Sequence, residues 1–130
     1  PDGSYQLLWT ADNLAHVWTI NADNTFGGAF GLLGPGPGWE ATSYSHAPDG
    51  SHHVLWTTAQ LAHLWIITPT LGSGDAIGLV GPGDPAASIV SRAQSYSLNS
   101  DGSWDVLWAI RSPESPFSAA HLWTISVDRA

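Results

Sequence analysis

The sequence predicts an all-β protein built from one repeated supersecondary unit, and three observations lead to this prediction. An Asp-Gly-Ser turn, a Leu-Trp pair and an Ala-His-Val/Leu-Trp segment recur three times in the same order. In each copy the first Trp follows the turn glycine by six residues, as Trp9 follows Gly3. No segment carries a sustained apolar stripe of helical period with capping residues. A repeat of about 20–50 residues is typical of propellers, solenoids and other arrays.

Six tryptophans occupy two fixed positions of this repeat. The first position holds Trp9, Trp56 and Trp108, and the second holds Trp18, Trp65 and Trp123. Repeated aromatic residues usually pack one sheet against the next, and each of them buries roughly 150–250 Å². We therefore expect all six to be core residues.

The middle copy contains four segments that are typical of strands. They are rich in Val, Ile, Trp, Tyr and Thr, are bounded by Gly, Pro, Asn and Asp, and cover residues 41–46, 52–58, 62–68 and 75–80. The Asp49-Gly50 turn joins the first two, because Asp-Gly accepts the positive φ angles of a tight hairpin. In the third strand both faces are apolar, which indicates sheets stacked on sheets.

The strand count predicts a partial β-propeller. The first copy lacks a leading strand and the last ends after its third, so about ten strands are expected, in groups of three, four and three. This makes about 2.5 four-stranded blades, which association with other chains would complete, because a propeller closes only when every radial position is filled. A β-trefoil-like three-fold barrel is the alternative. We expect a single repeat domain over residues 1–130, with units at about 1–38, 39–85 and 86–130.

The composition excludes several classes of partner. The chain has no Lys, three Arg and eleven carboxylates, with a formal net charge of −8, so clustered cations for nucleic acid or anionic membrane are missing. It has no cysteine, and no apolar run approaches the ~18 residues of a membrane span. Because it opens in mid-repeat without Met, we expect a processed or excised piece of a longer array.

The stretch from Gly38-Trp39-Glu40 to Tyr44, followed by Pro48-Asp49-Gly50 and two Leu-Trp strands, resembles a tandem repeat of secreted bacterial proteins. Its layout is also similar to the blades of tachylectin-2-like β-propeller lectins. The resemblance implies an extracellular or cell-surface protein that binds an N-acetylated sugar between blades. The third unit departs from the pattern, because at the spacing of 52 residues that aligns Tyr44 with Tyr96, Trp39 has no Trp counterpart.

The best candidate binding site is centred on Trp39. This residue follows a Gly/Pro loop that cannot itself form a central strand, and a loop Trp can stack on the apolar face of a pyranose. We expect the backbone amides of the loop to be free for sugar hydroxyls, since ligand sites combine an aromatic wall with a few polar groups. The predicted ligand-binding residues are Trp39, Gly36, Gly38, Glu40, Tyr44 and Asp49.

The histidines do not indicate a metal site. His16, His63 and His121 recur in phase, but they belong to three different copies, whereas zinc needs ligands that converge at about 2.0–2.1 Å. We interpret them as hydrogen-bonded rings that fill the space between blades, and we predict neither metal nor cofactor. His52 and His53 occupy variable positions of the repeat, so we expect both to face solvent.

The sequence gives little support to catalysis. Glu40 and Glu114 are the only glutamates, and the aspartates of the repeat are explained by turn formation. There is no Gly-x-Ser-x-Gly elbow. We therefore predict a carbohydrate-binding module without enzymatic activity. The alternative is a structural repeat protein that assembles through unpaired sheet edges into a homo-oligomer.

Overall fold

The computed structural model describes residues 2–83, 89–112 and 119–126, and all regular secondary structure in these ranges is β. The ten strands are β1 (Tyr5–Ala11), β2 (Leu14–Ile20), β3 (Phe26–Leu33), β4 (Glu40–His46), β5 (His52–Thr58), β6 (Leu61–Ile67), β7 (Asp75–Val80), β8 (Val90–Leu98), β9 (Trp104–Arg111) and β10 (Ala119–Ile125). The all-β prediction is confirmed. In the middle copy, the predicted strands match β4 to β7 to within one residue at each end.

The strands form three antiparallel sheets in chain order. These are β1-β2-β3, β4-β5-β6-β7 and β10-β9-β8, so the predicted grouping of three, four and three strands is confirmed. Each described sheet is open, and the described strands form no closed barrel. The described part of the chain contains no helix that is long and apolar enough to cross a membrane.

The Asp-Gly-Ser turns are built in the same way in all three copies. In the middle copy, the carboxylate of Asp49 accepts hydrogen bonds from the backbone amide and hydroxyl of Ser51, at 2.8 and 2.6 Å. Gly50 has a φ of 86°, which glycine adopts without steric cost. These bonds lower the pKa of the exposed Asp49 carboxyl, with the Ser51 hydroxyl contributing most. The predicted turn-forming role of the aspartates is confirmed.

The chain divides into two compact units, Pro1–Ala41 and Thr42–Ala130. In the second unit, one face of the β4–β7 sheet packs on one face of the β8–β10 sheet. The buried core of this contact consists of Leu55, Ala62, Leu64, Ala93, Tyr96, Trp104, Val106 and Trp108. Two hydrogen bonds of Thr side chains join the sheets, from Thr42 Oγ1 to the carbonyl of Ala93 and from the amide of Ala93 to Thr57 Oγ1. The prediction that sheets stack on sheets is confirmed in this unit.

The first unit contains the β1–β3 sheet and the loop that follows it. Ala15 and Val17 are buried on one face of this sheet, whereas the opposite face is exposed. Trp9 and Trp18 lie on the exposed face, and 54% of the surface of Trp9 is accessible to solvent. The prediction that all six repeated tryptophans are core residues is therefore wrong for these two. Sequence position in the repeat fixes the direction of the side chain but not whether another sheet covers it.

Candidate functional site

The loop that carries Trp39 is hydrogen-bonded to the hairpin turn between β1 and β2. The side chain of Asn13 accepts a hydrogen bond from the amide of Gly36 at 2.7 Å, and that of Asp12 accepts one from Gly38 at 2.8 Å. Backbone bonds complete the attachment, from Asn13 to the carbonyl of Trp39 and from the amide of Gly34 to the carbonyl of Asn13. Asn13 adopts a φ of 56°, a left-handed conformation that Asn tolerates better than most residues. The loop is held at both ends by one turn.

The sequence-based prediction that the loop amides are free is wrong. Gly36 and Gly38 donate to Asn13 and Asp12, and the amide of Trp39 donates to the carbonyl of Gly36 at 3.2 Å. A folded backbone rarely leaves its N–H groups without a partner, and here the turn supplies the acceptors. These three amides are therefore already engaged as donors within the protein.

The glycines of the loop leave space beside it. A Cβ atom added to Gly36 or Gly38 would meet nothing within 4 Å, so the backbone is open to close approach at both positions. Gly38 also has a φ of 81°, which strongly favours glycine. Trp39 and Glu40 are partly buried and follow this open segment directly. Four of the six predicted residues thus lie together in the first unit.

Tyr44 and Asp49 belong to the second unit, where each forms hydrogen bonds with another residue of that unit. The hydroxyl of Tyr44 lies 2.8 Å from Nδ1 of His52, and burial raises the pKa of Tyr44 to about 12. The carboxylate of Asp49 is engaged in the turn with Ser51. Their role at the edge of the Trp39 site stays a prediction.

Asp12 and Asn13 are residues of this site that the sequence analysis missed. The middle copy shows the same backbone pattern, because the amide of Gln60 donates to the carbonyl of Ser91 and the amide of Gly81 donates to the carbonyl of Gln60. Gln60 also shares the left-handed φ of Asn13, at 64°. Ser91 therefore occupies the position of Trp39, in agreement with the spacing of 52. The polar residues at the hairpin turn were the only sequence signal for this role. The signal was not enough, because the amides that they bind are distant in the sequence.

A buried polar chain joins the two sheets of the second unit. Nδ1 of His53 lies 2.6 Å from the hydroxyl of Tyr96, and Nε2 lies 3.0 Å from the hydroxyl of Ser51, which donates to Asp49. Because the Ser51 hydroxyl donates to Asp49, it can accept a hydrogen bond from a protonated Nε2 of His53. Nδ1 then accepts a hydrogen bond from the Tyr96 hydroxyl. Burial lowers the pKa of His53, and the nearby Asp49 carboxylate partly opposes this. The prediction that His53 faces solvent is wrong, since it is buried at the sheet contact.

Two of the three in-phase histidines pack over glycines of the adjacent strand. His16 is paired with Gly31 and His63 with Gly78. A Cβ at Gly31 would lie 3.3 Å from Cε1 of His16, so glycine makes room for the ring. The His-Gly pair therefore has a packing function within the β1–β3 and β4–β7 sheets. Among the described residues, no group of three His, Asp or Glu side chains is arranged to hold a metal ion.

Comparison with known proteins found no matching family model, no matching curated protein and no matching solved structure. The resemblance to lectin blades stays a prediction.

Proposed function

We propose that this chain is a non-catalytic carbohydrate-binding module built from propeller-like blades. The face-to-face contact of the β4–β7 and β8–β10 sheets supports this architecture over a three-fold barrel, because blades of a propeller stack in this manner. The lectin resemblance of the repeat supports the choice of ligand class and an extracellular or cell-surface location.

The observation that carries the proposal is the Trp39 loop, which is restrained by hydrogen bonds and has open space beside Gly36 and Gly38. Four hydrogen bonds with residues 12 and 13, which accept three of them and donate one, restrain the loop before any ligand binds. Restraint of this kind lowers the entropy that binding must remove. The indole of Trp39 would stack on the C–H face of a pyranose, and the glycines would admit the sugar close to the backbone.

The chemistry of the loop favours a neutral sugar that donates hydrogen bonds. The amides of Gly36 and Gly38 already donate to Asn13 and Asp12, so a ligand would meet hydrogen-bond acceptors at this loop, such as backbone carbonyl oxygens, each of which has two lone pairs. Sugar hydroxyls donate to such acceptors, and the N–H of an N-acetyl group adds another donor. A net charge of −8 disfavours anionic sugars.

Titration with N-acetylglucosamine, followed by Trp fluorescence and calorimetry, tests the proposal. We expect the wild-type chain to bind, Trp39→Phe to bind more weakly and Trp39→Ala not to bind. Phe26→Ala is the matched control, because Phe26 is an exposed aromatic residue of the same unit at the opposite end of β3. Equal binding by wild type and Trp39→Ala, or no binding by the wild type to any neutral sugar tested, would contradict the proposal.

A structural, self-assembling repeat is the second candidate function. The exposed apolar residues on the β1–β3 and β8–β10 sheets favour it. A purely structural repeat would bind no sugar, with or without Trp39, while keeping its association.

A further inference from the structure

We propose that a second copy of this chain docks head to tail, with the aromatic face of its β1–β3 sheet on the leucine face of the β8–β10 sheet. The aromatic face of a sheet is the one that bears the repeated Trp pair, and the leucine face is the opposite one. On β1–β3 the aromatic face includes Leu7, Trp9, Trp18 and Phe26, and on β8–β10 the leucine face includes Leu107, Ala109, Ala120 and Leu122. This inference does not depend on sugar binding.

The two faces follow from strand alternation within the repeat. In every copy a Leu directly precedes the first Trp, so Leu and Trp point to opposite faces. Leu55 and Trp56 are one such pair, and Leu107 and Trp108 are another. Every sheet therefore has one face of each kind.

The second unit contains one complete contact between faces of opposite kind. The aromatic face of β8–β10, with Val106 and Trp108 fully buried, packs on the leucine face of β4–β7, where Leu55 and Leu64 are buried. This contact defines what each kind of face is complementary to. We compare the exposed aromatic face of β1–β3 and the exposed leucine face of β8–β10 with this contact.

The aromatic face of β1–β3 has the same internal geometry as the buried ones. The ring centroids of Trp9 and Trp18 are 5.3 Å apart with planes at 50°. The equivalent pairs lie at 5.5 Å and 53° in the β4–β7 sheet and at 5.6 Å and 52° in the β8–β10 sheet. The exposed pair is therefore already arranged as it is in the buried copies.

The leucine face of β8–β10 repeats the side chains of the complete contact. Leu107, Ala120 and Leu122 stand where Leu55, Ala62 and Leu64 stand in the middle copy. Leu122 is 66% exposed, whereas Leu64 is buried. An exposed apolar surface of this kind marks an interaction site in a soluble protein. Its side chains match the surface that already receives a Trp-bearing face.

Charge adds complementarity between the first unit of one copy and the β8–β10 sheet of another. Residues 1–41 carry four carboxylates, Asp2, Asp12, Asp23 and Glu40, and no Arg or Lys. The β8–β10 sheet bears Arg92 and Arg111 around a groove of about 510 Å³ on its leucine face, against one carboxylate there, Asp105. An arginine can also stack on a tryptophan face. These charges favour a head-to-tail approach over contact between the acidic first units of two copies.

Head-to-tail contacts are heterologous, so they produce a closed ring or a filament. Sedimentation velocity of the full chain and two blocked variants tests this directly. Trp9→Asp blocks the aromatic face and Leu122→Asp blocks the leucine face, and both residues are exposed, so each variant should keep the near-UV signal of buried Trp108. Leu71→Asp, at an exposed loop leucine, is the matched control.

We expect the wild type and Leu71→Asp to associate, each blocked variant to be monomeric, and an equimolar mixture of the two to form a one-to-one dimer through their intact faces. A monomeric wild type would overturn the proposal. So would a Leu122→Asp variant that associates like the wild type, because that result indicates contact between two aromatic faces, and so would a mixture that stays monomeric. Trp39→Ala should associate like the wild type, which separates this proposal from the sugar site.

Discussion

Trp9 and Trp108 occupy the same position of the repeat, yet Trp108 is fully buried and Trp9 is 54% exposed. Both residues pair with the second Trp of their own sheet at nearly the same distance and angle. The difference is therefore the presence of a covering sheet, since the local structure is the same. The same repeat position is therefore buried in the second unit and exposed in the first.

Leu64 and Leu122 allow the energy of one sheet contact to be measured at matched positions. Leu64→Ala should lower the free energy of unfolding of the second unit by about 2–5 kcal/mol, because it removes buried methyl groups and leaves a cavity. Leu122→Ala should cost less than about 1 kcal/mol in a monomeric background such as Trp9→Asp, because Leu122 is exposed. Urea denaturation checks both, and equal losses would contradict the assignment of the buried face.

Gly81 should tolerate no side chain. A Cβ at this position would overlap the ring of Trp108 and the hydroxyl of Ser91, both of which are buried. Gly81→Ala should therefore destabilise the second unit by about 1–3 kcal/mol or more, as overpacked core sites do. Gly72→Ala is the control, because Gly72 is exposed and the added Cβ would lie 3.1 Å from the Thr68 hydroxyl, outside the contact between the sheets. Thermal unfolding distinguishes the two, and an unchanged Gly81→Ala would show that the contact is misassigned.

Stability should fall below neutral pH through His53. Burial holds its folded-state pKa below the usual value of about 6.5, so the unfolded chain binds a proton more readily than the folded chain. The contribution is fully present above about pH 6.5 and is lost as pH falls toward the lowered pKa. Asp49 opposes the shift, and the neighbouring His52 also has a lowered pKa, mainly through burial.

Urea denaturation at several pH values between about 7.5 and 5 checks this expectation, because this range spans the usual His pKa of about 6.5. The measured quantity is the free energy of unfolding. His53→Gln should flatten the acid side of the profile, because it removes a group whose pKa is lowered by burial in the folded chain. Parallel profiles for wild type and His53→Gln would rule out His53 as the source of the slope.

Asp12 should control the order of the Trp39 loop. Asp12→Ala removes the acceptor for the Gly38 amide, so hydrogen exchange at Gly38 should accelerate. Sugar affinity should fall about fivefold, which corresponds to about 1 kcal/mol for one lost hydrogen bond. Asp23→Ala is the control, because Asp23 bonds Thr25 within its own turn. Unchanged exchange at Gly38 would show that Asp12 does not hold the loop.

Local patterns were enough to predict the strands and turns. Alternation along 52–58 and the Asp49-Gly50 turn depend on neighbours in sequence, so β5 and its hairpin were predicted correctly. The exposure of Trp9, the burial of His53 and the use of the Gly38 amide by Asp12 were not predictable in this way. Each of these three features depends on a group that is distant in the sequence. The pattern of residues around one position carries no information about such a group.

Light scattering of the wild-type chain over a range of protein concentrations tests the central claim most directly, namely that a second copy covers the exposed Trp9 face. We expect a mass of at least twice the 13.7 kDa of one chain. A mass of 13.7 kDa at every concentration would contradict it, because the faces of Trp9 and Leu122 would then stay uncovered in solution.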